Sequence, residues 1–196
     1  GYSAFVNGGY VTKSKLVDYI QDRYGRTLYN ETIPAPIAWS DDLLPPVREN
    51  KSEPLSDPQS LYQMVSILQG AVERGTGRQA RVSGHTIAGK TGTTNEVKDI
   101  WFVGFSKNLI AGVYLGYDTP KPLGRGAGSH MAARVFADFM NVALKNETNQ
   151  PFAVPDGMTF IRVNRRSGAL AALDPDGTII TEVFKEGQEP NPAPVQ

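Results

Sequence analysis

Cysteine is missing altogether from these 196 residues, which excludes disulfides, thiolate metal sites and a cysteine nucleophile while leaving the redox compartment open. Excess charge is missing too. The 20 Lys and Arg balance 20 Asp and Glu, which argues against a nucleic-acid partner and against an acidic, disordered chain. Histidine is scarce: His85 and His130 lie far apart with no carboxylate at metal-ligand spacing, so the sequence builds no zinc site and calls for no cofactor. No apolar run approaches the roughly 20 residues of a membrane-spanning helix, and no leader peptide is recognisable. An initiating Met is absent as well. The chain opens Gly1-Tyr2-Ser3-Ala4-Phe5, which reads as the inside of a structural element, so a piece of a longer protein is expected.

What is present fits one domain with a sizeable core and a small appendage. Residues 2–6 read as a last helical turn stopped by Asn7-Gly8-Gly9. Residues 11–20 and 27–29 read as strand arms around a turn at 22–26. From about 30 to 57 the composition shifts to Pro, Ser and charge, which forbids a long helix or a central strand and marks a loop or insertion. Asp57-Pro58 then supplies an N-cap and a first-turn proline, with Leu61, Val65, Leu68 and Val72 at helical spacing up to about Arg74. Runs 100–105 and 109–117 are apolar and β-rich, three residues apart, and predict adjacent antiparallel strands. A second helix over 130–145 places Met131, Val135, Phe139 and Val142 on one face. Residues 151–196 read as an extension: short strand-like pieces (MTFIRV, GALAAL, TIITEVF), turns at 164–168 and 174–177, then a Pro-rich tail expected to be disordered.

The stretch GHTIAGKTG, residues 84–92, satisfies two unrelated signatures at once. Residues 84–91 fit G-x-x-x-x-G-K-[ST], the phosphate-cradling loop. Lys90-Thr91-Gly92 is also the K-T-G of serine acyltransferases. A phosphate loop needs a buried strand before it and a helix after it. Residues 74–83 (RGTGRQARVS) are too polar for such a strand, and Gly92-Thr93-Thr94-Asn95 is a poor helix start, so the phosphate-loop reading is set aside.

The string GKTGTTNEVKDIWFVGF, preceded by YSAFVNGGYV and LQGAVERGTG and followed by GVYLGYD and GRGAGS, resembles the C-terminal part of the transpeptidase domain of class A, bifunctional penicillin-binding proteins. The resemblance covers residues 1–145 well and FAVPDGMTFIRVNRRSGALA more loosely. It implies the α+β fold shared with serine β-lactamases, an antiparallel sheet packed by helices. It also implies a cell-envelope enzyme, anchored in the membrane by a segment outside this chain. There a serine would attack the D-Ala-D-Ala bond of a peptidoglycan stem peptide, and β-lactams would acylate that serine. Carried over by position, Lys90 would lie beside the serine network, and the hydroxyls of Thr91 and Thr93 would bind the terminal carboxylate. The Thr93 backbone N–H would be half of the oxyanion hole. At Gly92 a side chain would stand between strand and substrate. The strands bearing Lys90, Trp101 and Val113 would be central in the sheet, flanked by strands from sequence ahead of residue 1. Trp101, Phe102 and Phe105 are expected in the core rather than the site, whereas Arg125, between Gly124 and Gly126, is either a solvated turn residue or a groove contact.

Two motifs of that family do not occur. No S-x-x-K is found; its nearest imitation, Thr12-Lys13-Ser14-Lys15, begins with Thr. The single S-x-N, Ser106-Lys107-Asn108, follows K-T-G instead of preceding it and sits in a predicted turn. The chain alone is therefore expected to be catalytically silent and to need the missing N-terminal part of its domain. The alternative is a non-catalytic cell-wall binding protein that keeps the cleft without the serine.

Overall fold

The computed structural model describes residues 1–12, 16–30, 53–171 and 178–190. Most of the Pro-rich stretch, the turn expected at 174–177 and the end of the tail lie outside the described residues. A 3-10 turn, Tyr2–Phe5, comes first and is followed by Gly8 and Gly9 at positive φ, the C-terminal stop that Asn-Gly-Gly predicts. A small antiparallel pair, β1 (Tyr19–Gln21) and β2 (Thr27–Asn30), encloses the expected turn, in which the Asp22 carboxylate accepts from the backbone N–H of Tyr24 and Arg26. The first arm is shorter than the 11–20 expected, beginning only at Tyr19.

Helix α1 (Pro58–Glu73) begins as its sequence dictates: Asp57 accepts from the Ser60 N–H at 2.9 Å, and Pro58 occupies a first-turn position where no N–H is required. Its buried positions, Val65, Leu68 and Val72, recur at the predicted spacing. The main sheet follows in the order β3 (Ala88–Thr93), β4 (Ile100–Phe105), β5 (Ile110–Leu115), all antiparallel, with Ser106-Lys107-Asn108 in the tight turn between β4 and β5.

Side chains alternate across this sheet, so its two faces belong to different helices. Ile100 and Phe102 point to α2 (Ser129–Ala143), where Phe136 meets Phe102 with ring centroids 4.8 Å apart. Ala88 and its cross-strand partner Phe105 point the other way, onto Val65 and Leu68 of α1 and the rings of Tyr2, Phe5 and Phe152. Two sequence readings change here. Met131, Val135, Phe139 and Val142 share a face of α2, but it is the outer one, 43 to 78% exposed. The face on the sheet carries Ala132, Ala133, Phe136, Ala137 and Met140, whose alanines let helix and sheet approach closely. Trp101 is not core: it lies on the same sheet face as Phe105 but beyond the reach of α1, 45% exposed and tilted against Tyr114 at 4.6 Å.

The second hairpin, β6 (Met158–Asn164) and β7 (Ile179–Lys185), docks on α1 rather than extending the main sheet. Gln63 donates to the Val183 carbonyl, Arg74 pairs with Glu182 at 3.0 Å, and Lys185 pairs with Asp57 at 2.9 Å. Of the piece expected at 168–173, residues 168–171 are described; they form no strand and contribute a single bridge, Leu170 to Val163.

Candidate functional site

The sequence segment with two signatures folds into strand, turn, strand. Lys90 stands inside β3, paired across from Val103; the strand runs on to Thr93 and only a 3-10 turn, Asn95–Val97, separates it from β4, so the strand-loop-α-helix geometry of a phosphate loop is absent there. Instead β3 is an edge: among the described residues only β4 pairs with it. Which backbone groups face that edge follows from one hydrogen bond. The Thr94 N–H donates to the Asp99 carbonyl at 3.0 Å, toward β4. Successive residues of an extended strand aim their N–H and C=O groups in opposite directions, so Gly92 and Lys90 bond inward and the N–H groups of Thr91 and Thr93 face the open edge.

Side chains sort in the same way. Lys90 and Gly92 share the face of Trp101 and Tyr114, while Thr91 and Thr93 share the face of Ile100 and Phe102. Lys90 is exposed and curls over its own strand: Nζ donates to the Thr91 carbonyl at 2.9 Å and lies 3.4 Å from Thr91 Oγ1. The four predicted residues therefore form one continuous patch along the strand edge, with a cation at one end and two threonine hydroxyls and two outward N–H groups beside it. A cation, hydroxyls and outward N–H groups are the donor types that suit an anion. At Gly92 the crowding recorded is with Trp101, whose Cβ a methyl group there would meet at 3.2 Å.

The end of β3 is fixed by a tight connection to β4. Asp99 accepts from the Tyr114 hydroxyl at 2.8 Å, and the Asp99 N–H donates to Thr94 Oγ1 at 2.8 Å. That hydrogen bond to a carboxylate holds the Tyr114 phenol above its ordinary range. Glu96 and Val97 adopt positive φ in this turn, a conformation costly for side-chain-bearing residues, and the Lys98 ammonium beside Glu96 keeps that carboxyl low.

Other candidates lie apart from this patch. Ser106 is buried and engaged in its turn, its Oγ accepting from the Leu109 N–H at 3.2 Å, which accounts for the misplaced S-x-N as local structure. His85 sits near Ser106 at the far end of β3, and His130 is exposed on the first turn of α2. Arg125 is exposed between two glycines at positive φ. Sequence reasoning assigned no role to Thr76, which lies just past the end of α1. In the fold Thr76 Oγ1 lies 2.9 Å from Thr91 Oγ1, and the one signal for it was the run ERGTG among the strings that carried the resemblance.

The chain is 44% identical over 192 residues to penicillin-binding protein 1A of Rickettsia prowazekii and 40% identical over 159 residues to penicillin-binding protein 1A of Neisseria gonorrhoeae. These alignments cover 94% and 80% of this chain but 24% and 18% of the relatives, so the chain spans a quarter or less of their length. Among solved structures, penicillin-binding protein 1A from Haemophilus influenzae matches with a TM-score of 0.70 at 25% identity, covering 99% of this chain and 32% of that one. The α+β arrangement of helices and antiparallel sheets is thus the penicillin-binding transpeptidase fold. Helix α1 and the whole β3-β4-β5 sheet with its K-T-G edge fall inside residues 1–141, the span that matches the penicillin-binding-protein transpeptidase domain, and the chain belongs to that family.

Proposed function

We propose that the protein carrying this chain is a peptidoglycan D,D-transpeptidase of the bacterial cell envelope, acting on D-Ala-D-Ala stem peptides and acylated by β-lactams, and that β3 is one wall of its cleft. The observation that carries the reading is the open edge of β3, where the outward N–H groups of Thr91 and Thr93 stand beside the Lys90 ammonium. A serine from elsewhere in the protein attacks the penultimate D-Ala carbonyl. The oxygen that becomes negative is met by the Thr93 N–H, a donor that need not reorganise as charge develops. Terminal D-Ala leaves as the amine. The ester formed is then attacked by an amine of a neighbouring stem, which releases the serine and closes the cross-link.

Within this scheme Lys90 supplies positive charge next to the reacting groups, and Thr91 and Thr93 receive the substrate carboxylate through their hydroxyls. Gly92 leaves the strand edge flat for the substrate backbone. Because the 196 residues hold no S-x-x-K, the isolated chain forms no acyl-enzyme. The test uses a fluorescent penicillin on the whole gene product and on the isolated chain. Labelling is expected only in the former, and Lys90→Ala should slow it by about 10²-fold, the scale of losing one preorganised electrostatic contact. A one-to-one adduct on the isolated chain, or unchanged kinetics in Lys90→Ala, overturns the assignment.

A further inference from the structure

The C-terminus of α1 is capped with unusual completeness, and the cap ends at the candidate site. Three backbone donors turn back onto the last turn: the Arg74 N–H to the Gly70 carbonyl at 2.8 Å, and the N–H groups of Gly75 and Gly77 to the Ala71 carbonyl at 3.2 and 2.9 Å. Two guanidinium groups take most of what remains. Arg81 donates to the carbonyls of Val72 and Glu73, and Arg78 to that of Arg74 at 2.9 Å. Cations at a helix C-terminus also meet the negative end of its dipole. The loop has no slack at its glycines either. A methyl group at Gly75 would lie 2.9 Å from the Ala71 oxygen, and one at Gly77 would lie 3.1 Å from the same atom and 3.3 Å from the Phe102 ring.

This loop carries the chain around the β3 edge, and Thr76 is the residue it presents there, with Oγ1 at 2.9 Å from Thr91 Oγ1. Thr91 Oγ1 has one proton and two lone pairs. In the free protein the Lys90 ammonium, which only donates, lies 3.4 Å from that oxygen, so Thr91 is free to aim its proton at Thr76. A bound carboxylate only accepts and needs that same proton. The contact between the threonines then survives only if Thr76 becomes the donor, which a hydroxyl accomplishes by rotation.

We propose that Thr76 is a positioning residue for carboxylate recognition: its hydroxyl, held in place by the capped loop, donates to Thr91 Oγ1 and turns the Thr91 proton toward the carboxylate of a stem peptide or β-lactam. The inference rests on the reading of Thr91 as a carboxylate ligand. One neutral hydrogen bond of this kind corresponds to a change of about two- to tenfold.

The measurement is the second-order rate of acylation by a fluorescent penicillin, made on the whole gene product and its variants. Thr76→Val should slow acylation by about two- to tenfold with the melting temperature unchanged. Thr76→Ala is the second truncation, and Thr76→Ser, which keeps the hydroxyl, should restore the rate. In a Thr91→Val background, Thr76→Val should have no further effect. If Thr76→Val matches the wild type while Thr91→Val is slowed, the inference fails and the carboxylate reading stands. Should Thr91→Val itself match the wild type, the carboxylate reading fails and takes the inference with it. Equal slowing by Thr76→Val in both backgrounds, or no recovery in Thr76→Ser, means that Thr76 acts through loop structure and overturns the proposal.

Discussion

Thr93 carries two groups that can meet an anion, and one substitution separates them. Thr93→Val removes the hydroxyl and leaves the outward backbone N–H in place, so in the whole protein it should weaken recognition of a carboxylate-bearing β-lactam by about 1–3 kcal/mol without disturbing the fold. Initial binding measured beside thermal unfolding decides this: loss of stability without a binding defect would make Thr93 a packing residue. A second test at this scale concerns Asp99 and Tyr114. Their hydrogen bond raises the phenol pKa because it favours the protonated hydroxyl, so Tyr114 should lose its proton later than a free tyrosine, whose value is 10.0. The sign for stability follows. A group whose folded pKa is raised gives its full contribution below the unfolded pKa and loses it as pH climbs through the folded value, so this contact holds at neutral pH and fades only in strong alkali. Asp99→Asn should bring the Tyr114 transition down in an absorbance titration, and an unmoved transition would refute the contact.

Helices α1 and α2 show what elements reveal of themselves before folding. Asp57-Pro58 marked the start of α1 because cap chemistry is local, and Val65, Leu68 and Val72 marked its buried face by their helical spacing, although Met64 and Ile67 form a second apolar row that stays exposed. Helix α2 also has two rows. The bulky set Met131, Val135, Phe139 and Val142 is the conspicuous one, yet the sheet selects the alanine-rich set around Phe136, since packing rewards close approach and spacing alone does not encode it. Trp101 was misread for a related reason: alternation gives its face, but not how far along that face α1 reaches. The K-T-G edge was legible because Lys90, Thr91, Gly92 and Thr93 are contiguous; Thr76 was not, because its partner Thr91 is 15 residues away and only the fold joins them. The helix phase is testable. Phe136→Ala should cost about 3–5 kcal/mol through the cavity it leaves, whereas Phe139→Ala should cost about 0.5 kcal/mol or less. Equal losses in chemical denaturation would put α2 in the wrong rotation. At the start of α1, the Ser60 N–H and the Lys185 ammonium hold the Asp57 carboxyl far below the 3.8 of a free aspartate. Its contribution is therefore present above that value and lost as pH falls through the folded pKa. The melting-temperature gap between the wild type and Asp57→Asn should be open at pH 7 and close toward pH 2, and a pH-independent gap would show that the charge plays no part.

At the scale of the whole molecule, the described residues leave surfaces that a soluble monomer rarely keeps. The β3-β4-β5 sheet has no strand beyond β3 or β5 among them, and edges of this kind present a row of unpaired N–H and C=O groups to any other chain. The outer stripe of α2 adds Val135 and Phe139 at 48 and 52% exposure and Val142 at 78%, and the Trp101-Tyr114 pair adds aromatic surface beside the β3 edge. Contiguous apolar surface of this sort marks a place where protein meets protein. The 196-residue chain produced by itself should therefore self-associate, sedimenting above the 21.3 kDa of one copy, and the association should weaken when Val135 and Phe139 are both replaced by Glu. Those two side chains touch neither the sheet face of α2 nor the candidate site, so the doubly substituted chain should keep its circular-dichroism spectrum while losing mass in sedimentation. Association that survives the double substitution would move the contact to the strand edges, where a proline at an outward-facing residue of β5 should interrupt it. A monodisperse 21.3 kDa wild-type species that unfolds in one cooperative step would instead show that these edges and this stripe are tolerated in water, and would remove the argument for a partner surface on the outer face of α2.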